Sequence, residues 1–466
     1  MKKIAFFSIP AHGHTNPMLP VAEELVKRGN SVRFYSFDEF AEKIRATGAA
    51  FVSCDSYLPA ITDEERENLM NVKTTEMTIQ DIRITLKMND FLEKEFADFK
   101  PDIVYTDSVC FWGKLNAWKY KVPMVCSTST FNRMSSTYMK HDRGELIDMI
   151  FGLPKISKEL KTLKPYGYEV KSALSLVQND NQTDTVVYTS RSFQPYEESF
   201  SDHYAFVGPS VFSQLQPNKQ KERPLVYISL GTVINDRPNF YKKCLRALGN
   251  KSMDVIISYG HFMDRSQLGT LRDNVQAFPA VDQLDILSKA DVFITHCGMN
   301  SVSESLYMAT PMILYPQTAE QHAVARRVEE KGAGILLSDD SSKGIKAAVA
   351  EILNNSRYAG AAQKCCDDFR SCPGVKGAAD FIETAPHTSD GVDLPAAVSK
   401  GSKWFYLCYW LLACALMVLL GVFVGWRFVW IIGVAAGVLC YPAGKLFWNK
   451  RYDRLAEAYK KDRKRS

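Results

Sequence analysis

No two of the 11 cysteines in this 466-residue chain stand in a C-x-x-C arrangement. The ligand spacing of a structural zinc site is therefore missing, and scattered thiols in odd number do not make a disulfide framework. A signal peptide is also missing from the N-terminal stretch MKKIAFFSIP, because its apolar run ends too early, at Pro10, and we expect a first β-strand there. These absences favour reduced thiols in a cytosolic protein.

The chain also lacks a basic body. Its net charge is +5, but residues 400–466 hold 12 Lys and Arg against 3 Asp and Glu, which leaves the preceding residues with a small net negative charge. Such a body does not attract a polyphosphate backbone, so we expect no nucleic acid among the partners. The length suits two or three domains, each able to bury a core.

Two motifs that would point to other chemistry are absent. No Asp-x-Asp metal motif stands in a suitable place, and the acids of DSYLPAITDEE lack ligand spacing, so we predict no metal requirement. The turn PAHGHTNP after the first predicted strand does not contain the G-x-G-x-x-G of a dinucleotide-dependent oxidoreductase. That class of enzyme is therefore excluded.

What the chain does contain is a strand and helix alternation that occurs twice. The first zone has the apolar runs KIAFFSI, SVRFYSF, PDIVYTDS, VPMVCST and DTVVYTS, and the second has LVYISLGT, MDVIISYG, NVQAFPA, DVFITHCG, PMILYP and AGILLS. Amphipathic helical segments separate the runs, which predicts mostly parallel sheets covered on both faces. We therefore predict an α/β chain of two tandem doubly wound domains, with ligands in a cleft beyond the carboxyl ends of the strands.

Two long apolar runs follow the second zone. Trp404–Trp426 has 23 residues without a charge, and Phe428–Trp448 has 21 residues with Lys445 as its one charge. About 20 apolar residues span a bilayer, so we predict a transmembrane helical hairpin that turns at Arg427, with a buried soluble hairpin as the alternative. The basic tail favours the cytoplasmic side, and an even number of spans returns the α/β body to that side.

The stretch FITHCGMNSVSESL indicates an anion site. A strand ends at its Thr-His-Cys-Gly, and a helix is predicted to begin near Asn300. The partial positive charge and free N–H groups of a helix amino end favour phosphate, and Gly298 would let the backbone approach it. The alternative is an ordinary capping box, because Ser301 and Glu304 satisfy S-x-x-E by themselves.

The wider segment FPAVDQLDILSKADVFITHCGMNSVSESLYMATPMILYPQTAEQ, Phe278 to Gln321, closely resembles a known donor-binding signature. It is that of the UDP-glycosyltransferase family of plants and bacteria (glycosyltransferase family 1), and the bacterial macrolide-glycosyltransferase branch fits best. The resemblance covers roughly residues 1–385 and implies the GT-B fold, with two facing Rossmann-like domains. Three departures are Asp282 in place of Pro, Cys297 in place of Gly, where it would add bulk beside the phosphates, and Ala309-Thr310 in place of Gly-Val.

The resemblance assigns a role to each matching residue. The base and nearby ribose would be held by Val281 and Gln283, and the ribose hydroxyls by Glu304. The diphosphate would be held by His296, Gly298, Asn300 and Ser301, with Ser229, Gly231 and Thr232 of SLGT facing the phosphates from the opposite side. The sugar would be held by Glu320 and Gln321. The motif SLGT taken alone is typical of a strand-end turn. The implied parts are an acceptor-binding domain at 1–208, a linker at 209–224, a nucleotide-sugar domain at 225–385, a linker at 386–403, two transmembrane helices at 404–448 and a basic tail at 449–466.

Two histidines in PAHGHTNP follow the first strand, where an α/β domain presents its site. An acceptor hydroxyl loses its proton as it attacks a sugar, and imidazole suits that task near neutral pH. By resemblance the base is His14, Asp107 orients it and stabilises its charged form, and His12 shapes the loop. Asp107 taken alone would also suit a helix N-cap.

The function expected from these features is that of an inverting glycosyltransferase. It would move a hexose from a UDP-sugar, with UDP-glucose suggested by Gln321, to a hydroxyl of an apolar or lipid-like acceptor, with no permanently bound cofactor. Membrane lipid would be a partner of residues 404–466. The alternatives are a membrane-tethered binding or scaffold protein on an inactive transferase fold, and a nucleotide-sugar epimerase. The acceptor, the sugar and the oligomeric state stay open.

Overall fold

The computed structural model describes most of the chain. The described residues are 1–58, 74–132, 143–170, 176, 179–211, 215–219, 221–232, 235–249, 252–388, 394–423, 426 and 429–463. The hairpin turn predicted at Arg427 lies outside the described residues.

A seven-stranded sheet forms from the first half of the chain, and all its strands run parallel in the order β3-β2-β1-β4-β5-β6-β7. Its strands are β1 (Lys3–Phe7), β2 (Ser31–Ser36), β3 (Ala50–Ser53), β4 (Ile103–Asp107), β5 (Met124–Thr128), β6 (Thr185–Val187) and β7 (Tyr204–Phe206). The helices are α1 (His12–Thr15), α2 (Leu19–Lys27), α3 (Ala41–Ala46), α4 (Thr74–Lys87), α5 (Asn89–Phe99), α6 (Phe111–Lys119) and α7 (Arg143–Leu160).

A second sheet follows, with six parallel strands in the order β10-β9-β8-β11-β12-β13. Its strands are β8 (Leu225–Ser229), β9 (Asp254–Ser258), β10 (Val275–Phe278), β11 (Val292–Thr295), β12 (Met312–Leu314) and β13 (Gly334–Leu336). The helices are α8 (Pro238–Leu248), α9 (Gln283–Lys289), α10 (Met299–Tyr307), α11 (Ala319–Lys331), α12 (Ser342–Asn354), α13 (Ser356–Arg370) and α14 (Gly374–Thr384). Short 3-10 turns lie at Asn16–Met18, Asp38–Phe40, Asp55–Tyr57, Lys161–Tyr166, Glu197–Ser199 and Arg265–Leu268.

The prediction of two parallel α/β sheets is confirmed. The apolar runs quoted for the second zone all form strands. The central strands β8, β11 and β12 are fully buried and read as continuous hydrophobic segments, whereas β10 and β13 at the sheet edges keep exposed residues. Two strands of the first sheet, β3 and β7, were not predicted. The strand β3 lies at a sheet edge with half-exposed and exposed residues, and β7 has only three residues, so neither has the apolar run that marks a central strand.

The strand order places a crevice in each sheet. In the first sheet the order reverses between the neighbours β1 and β4, and in the second between β8 and β11. The connections from such a pair of strands leave to opposite sides, which opens a gap at their carboxyl ends where ligands bind. The loops after β1, β4, β8 and β11 are therefore the positions where the topology expects a site.

The last helix of the body returns to the first domain. Residues Ala378, Ala379 and Ile382 of α14 are buried in the same core cluster as β1. Arg28 at the end of α2 forms ion pairs with Asp380 and Glu383 of this helix. The two halves are thereby joined by packing and ion pairs in addition to the chain connection.

Two long antiparallel helices, α15 (Leu394–Phe423) and α16 (Val429–Arg463), end the described chain. Both are long and apolar enough to cross a membrane by length and composition, and their apolar windows are only 12% buried. The ring of Phe405 stacks on that of Phe447, with centroids 4.3 Å apart. The helix α15 begins at Leu394, inside the stretch predicted as a linker.

The foot of this hairpin, where its two helices approach the body, packs on the first domain. Val398, Tyr452 and Ala456 form a buried cluster against Tyr196. The Tyr452 hydroxyl donates to the Glu198 carboxylate at 3.3 Å. Helix continues through the basic stretch after Trp448 because Ala, Lys, Arg and Glu favour it and because the foot is held by these contacts.

Candidate active site

His14 and Asp107 come together at the crevice of the first sheet. His14 lies in α1, directly after β1, and Asp107 is the last residue of β4. Their side chains meet with 2.9 Å between His14 Nδ1 and Asp107 Oδ2. The other carboxylate oxygen accepts from the Val109 backbone N–H at 2.9 Å. The helix-cap alternative for Asp107 is wrong, because α6 begins after Cys110 and has no side-chain cap.

The surroundings set the protonation behaviour of His14. Burial is the largest influence and by itself would lower the pKa of the imidazole from its ordinary 6.5. The charge of Asp107 and its hydrogen bond outweigh burial, the charge of Glu320 adds to them, and the net result is a raised pKa. Because an ionised carboxylate only accepts, Nδ1 is the donor and Nε2 keeps the lone pair. Nε2 is therefore the atom that can take a proton.

The second histidine of the loop has a different environment. The His12 side chain is 42% exposed and stands 3.9 Å from the Glu39 carboxylate. Its ring meets the edge of Phe40 at a centroid distance of 4.9 Å. These contacts agree with the expectation that His12 shapes the loop.

The helix α10 presents an amino end that no side chain caps. Its N-cap is Gly298, in extended backbone, and the first turn holds no acidic residue. The capping-box alternative is therefore wrong, because Ser301 and Glu304 both lie inside the helix. The side chain of Glu304 instead accepts from Gln283 Nε2 at 2.6 Å. Among the described residues no side chain caps the first N–H groups of the helix, and the helix dipole favours an anion there.

His296 fills the space between the two glycine loops of the second sheet. A Cβ built on Gly298 would lie 2.5 Å from His296 Nε2, and one on Gly231 would lie 2.5 Å from His296 Cε1. Gly231 also has a φ of +80°, which favours glycine. Burial lowers the pKa of His296 to about 4, so its ring is neutral near pH 7. Its Nδ1 is buried and has no hydrogen-bond partner among the described residues.

The bulk expected from Cys297 does not lie beside the amino end of α10. Its side chain is fully buried in the core of the second domain, and its Sγ lies 3.5 Å from the Thr295 carbonyl. The backbone at Cys297 has a φ of 68°, and Ala309 has 52°, so both departures place a side chain where the left-handed backbone favours glycine.

A polar cluster surrounds Glu304. Gln283 donates to Glu304 and stands 3.3 Å from the Ser301 hydroxyl, and the Tyr227 hydroxyl donates to Gln283 Oε1 at 3.1 Å. Burial raises the pKa of Glu304 to about 7, with the hydrogen bond from Gln283 acting in the opposite direction. A half-buried carboxylate of this kind gains from additional hydroxyl donors, since they stabilise its charged form.

The two halves of the site face each other. Asn300 Nδ2, in the first turn of α10, donates to the Gly13 carbonyl in the His14 loop at 3.2 Å. Glu320, in the first turn of α11, is close enough to contribute to the raised pKa of His14. The His14 loop and the uncapped amino end of α10 therefore line one cleft between the two sheets.

The other predicted site residues lie around this cleft with varied environments. Ser229 ends β8 and accepts from the Gly231 N–H at 3.3 Å, and Thr232 is exposed just beyond it. Val281 is half-buried and packs on the core of the second domain. The side-chain oxygen of Gln321 accepts from the Gln317 N–H at 2.8 Å, so its amide nitrogen is the group left for a ligand.

Sequence reasoning missed two side chains of the cleft. The Ser129 hydroxyl stands 3.4 Å from His14 Nδ1, and Tyr227 fixes Gln283. Ser129 follows the end of β5, which pairs with β4, so its position at the carboxyl edge of the sheet was the available signal. In the part of the chain that the structure describes, no group of three or more His, Cys, Asp and Glu residues could hold a metal ion.

The chain is similar to several known proteins. The family model described as UDP-glucoronosyl and UDP-glucosyl transferase matches residues 213–366. The chain is 34% identical over 403 residues to NDP-glycosyltransferase YjiC of Bacillus licheniformis, covering 82% of this chain and 97% of that protein. It is 28% identical over 407 residues to demethyllactenocin mycarosyltransferase of Streptomyces fradiae, covering 82% and 86%.

Solved structures show the same fold. The calicheamicin glycosyltransferase CalG4 has a TM-score of 0.68 at 25% identity, covering 82% of this chain and 97% of that chain. The glycotransferase of kitacinnamycin has a TM-score of 0.71 at 24% identity, covering 82% and 98%. The two-domain body therefore has the GT-B architecture.

The His14 environment generates a prediction about its titration. In an NMR titration of protein with labelled histidine, we expect His14 to titrate above 6.5, because the Asp107 charge outweighs burial. The substitution Asp107→Asn should move the midpoint below 6.5, since burial then dominates. The control Asp98→Asn removes an exposed charge elsewhere and should leave the midpoint in place. An unchanged midpoint in Asp107→Asn would contradict the assignment.

Proposed function

Because the chain belongs to the UDP-glucoronosyl and UDP-glucosyl transferase family, whose members transfer sugars, we propose that it moves a hexose from a UDP-sugar to a hydroxyl of an apolar small molecule or lipid-like acceptor, with inversion at the anomeric carbon. Membership confirms the resemblance in the donor signature. One observation supports the proposal most. The hydrogen-bonded His14 and Asp107 face the uncapped end of α10 across one cleft.

His14 acts as the general base of this reaction. Its Nε2 takes the proton of the acceptor hydroxyl while the acceptor oxygen forms a bond to the anomeric carbon. The bond from that carbon to the UDP oxygen breaks, and the electron pair leaves with UDP. Asp107 holds the imidazole through Nδ1 and stabilises the positive charge that develops. A single displacement from the opposite face gives inversion.

The donor lies across the loops of the second sheet. The diphosphate is held by His296, Gly298, Asn300 and Ser301, with Ser229, Gly231 and Thr232 opposite them. Two observations support this assignment: the buried unpartnered Nδ1 of His296 and the absence of a capping side chain on α10. Charge that builds up on the leaving UDP is stabilised by the helix amino end without reorganisation.

The remaining donor contacts follow from the polar cluster around Glu304. Its carboxylate accepts from the ribose hydroxyls, and Val281 and Gln283 hold the base and the adjacent ribose. Glu320 and Gln321, in the first turn of α11, bind hydroxyls of the sugar, for which we propose glucose. Glu320 also raises the pKa of His14, so the sugar site and the base are electrostatically linked.

The competing readings fit less well. A scaffold on an inactive transferase fold has no need of a histidine whose Nδ1 is hydrogen-bonded to a buried carboxylate, and here Asp107 is 1% exposed. An epimerase needs no base aimed at an acceptor from the other domain. The joined His14–Asp107 pair therefore favours transfer.

The apolar hairpin anchors the enzyme to a membrane in this proposal, with the body and tail on the cytoplasmic side. The foot of the hairpin contacts Tyr196. Two residues before Tyr196, the Gln194 side chain accepts from the Asn132 N–H and donates to the Asn132 carbonyl. Asn132 lies three residues after Ser129, which contacts His14. Five residues of chain and three side-chain contacts therefore link the base to the hairpin foot. This proximity supports an acceptor that partitions into lipid.

The base assignment is tested by His14→Ala. UDP release and product formation should fall by about 10²–10⁴-fold, the usual contribution of a general base, while UDP binding measured by calorimetry is retained. The matched control is His12→Ala in the same loop, which should keep most of the activity because His12 does not contact Asp107.

Equal acceptor-dependent release from wild type and His14→Ala would remove His14 from the mechanism. An equal loss in both histidine variants would indicate a loop effect. The stereochemistry of the product, read by NMR from an α-linked donor, separately tests inversion.

The role of the hairpin is tested by a chain that stops at residue 388. We expect it to keep transfer to a water-soluble acceptor and to lose at least about tenfold in transfer to an acceptor held in vesicles, because anchoring raises the local concentration of enzyme. The ratio of kcat/KM for the two acceptors in full-length and shortened protein is the measurement. An unchanged ratio would contradict the lipid-borne acceptor.

A further inference from the structure

A groove lies beside the foot of the hairpin, away from the catalytic cleft. Its volume is about 500 Å³, and residues from both helices line it: Lys400, Gly401, Trp404, Phe405, Cys408, Phe447 and Arg451. On each helix the cation lies at the end of the lining nearest the hairpin foot: Lys400 precedes the apolar lining residues of α15, and Arg451 follows Phe447 of α16. The groove is therefore amphiphilic in the direction of the helix axes.

The position of the groove along the hairpin is fixed by contacts between the helices. The Tyr409 hydroxyl donates to the Ala436 carbonyl at 2.8 Å, and Phe405 stacks on Phe447. The side chain of Trp404 is 68% exposed at the start of the apolar run. If the hairpin spans a bilayer, as proposed above, this level is the boundary between acyl chains and headgroups, where tryptophan is enriched.

The two cations of the groove are without an ion-pair partner in the part of the chain that the structure describes. Neither Lys400 nor Arg451 forms an ion pair with a carboxylate among the described residues, and Arg451 Nε is buried without a hydrogen-bond partner. The guanidinium lies against Gly401, where a Cβ would come within 2.3 Å of Arg451 Cζ. A glycine at this position lets the cation lie close to the neighbouring helix, at the inner wall of the groove.

This chemistry fits a phosphodiester with an attached acyl chain. The planar guanidinium offers two parallel N–H groups to phosphate oxygens, and the lysine ammonium adds a second charge. The aromatic rings of Trp404, Phe405 and Phe447 continue the groove into the apolar level, where an acyl chain covers them. Free phosphate would leave that apolar wall uncovered.

We propose that the groove between Lys400 and Arg451 is a binding site for one anionic phospholipid, whose phosphate pairs with the two cations and whose acyl chain lies along the aromatic wall. The inference rests on the membrane anchoring proposed above. It differs from a general attraction of basic residues to anionic membranes, because it assigns one lipid to one place.

The test uses the full chain in neutral detergent, titrated with phosphatidylglycerol and observed by native mass spectrometry. Wild type should bind one phosphatidylglycerol more tightly than any further copy and more tightly than phosphatidylcholine. The double variant Lys400→Gln/Arg451→Gln should weaken that first binding by at least about tenfold. The matched control Lys403→Gln/Lys450→Gln removes the same charge from exposed positions on the same two helices and should bind within about twofold of wild type.

The other outcomes are distinguishable. Equal weakening by both double variants, or equal binding of the two lipids, would overturn the site in favour of diffuse attraction. Displacement of the lipid by millimolar inorganic phosphate would overturn the lipid in favour of a free anion. Extraction of the protein from vesicles by a carbonate wash would overturn the anchoring as well, whereas insertion without lipid preference overturns the site alone. Retained transferase activity in both variants reports that they are folded.

Discussion

The uncapped amino end of the helix Met299–Tyr307 is the constraint on which the rest of the site depends. Its N-cap is a glycine without a side-chain hydrogen bond, so the first N–H groups stay available. The His296 ring lies close to Gly231 and Gly298 because neither residue has a side chain in the space that the ring occupies. Burial lowers the pKa of His296 to about 4, so a neutral imidazole ring lies beside this helix end. An anion at this point gains from the dipole, the amides and the imidazole together.

The other half of the chemistry lies on a different sheet, which explains the two-domain architecture. Within the first sheet the strand order brings the end of β4 to the loop after β1, and so Asp107 to His14. Between the sheets, Asn300 reaches the Gly13 carbonyl, and the charge of Glu320 reaches His14. Each domain therefore positions its own groups, and the contact between the domains brings His14 and the amino end of the helix Met299–Tyr307 to one cleft.

Much of this could be predicted from the sequence because the decisive signals are local. Apolar runs predicted the buried parallel strands, and the segment Phe278–Gln321 resembled a family signature in length and order, apart from the departures at Asp282, Cys297 and Ala309-Thr310. The rest depends on tertiary contacts. Whether Ser301 caps the helix or lies inside it depends on a shift of three residues in the helix start, and the sequence motif is the same in both cases. Two contacts join residues distant in sequence: Ser129 approaches His14, and Tyr452 packs on Tyr196. The direction of the Cys297 side chain, which is buried in the core, also depends on the tertiary fold.

The most direct test of the account is a crystal structure of the protein with UDP bound, in which the positions of the two phosphorus atoms are measured. The account predicts that the phosphate oxygens lie within hydrogen-bond distance, about 3 Å, of the backbone amides at Gly298–Ser301, with His14 Nε2 facing the same cavity. Phosphates bound elsewhere, or a His14 turned away from them, would contradict it.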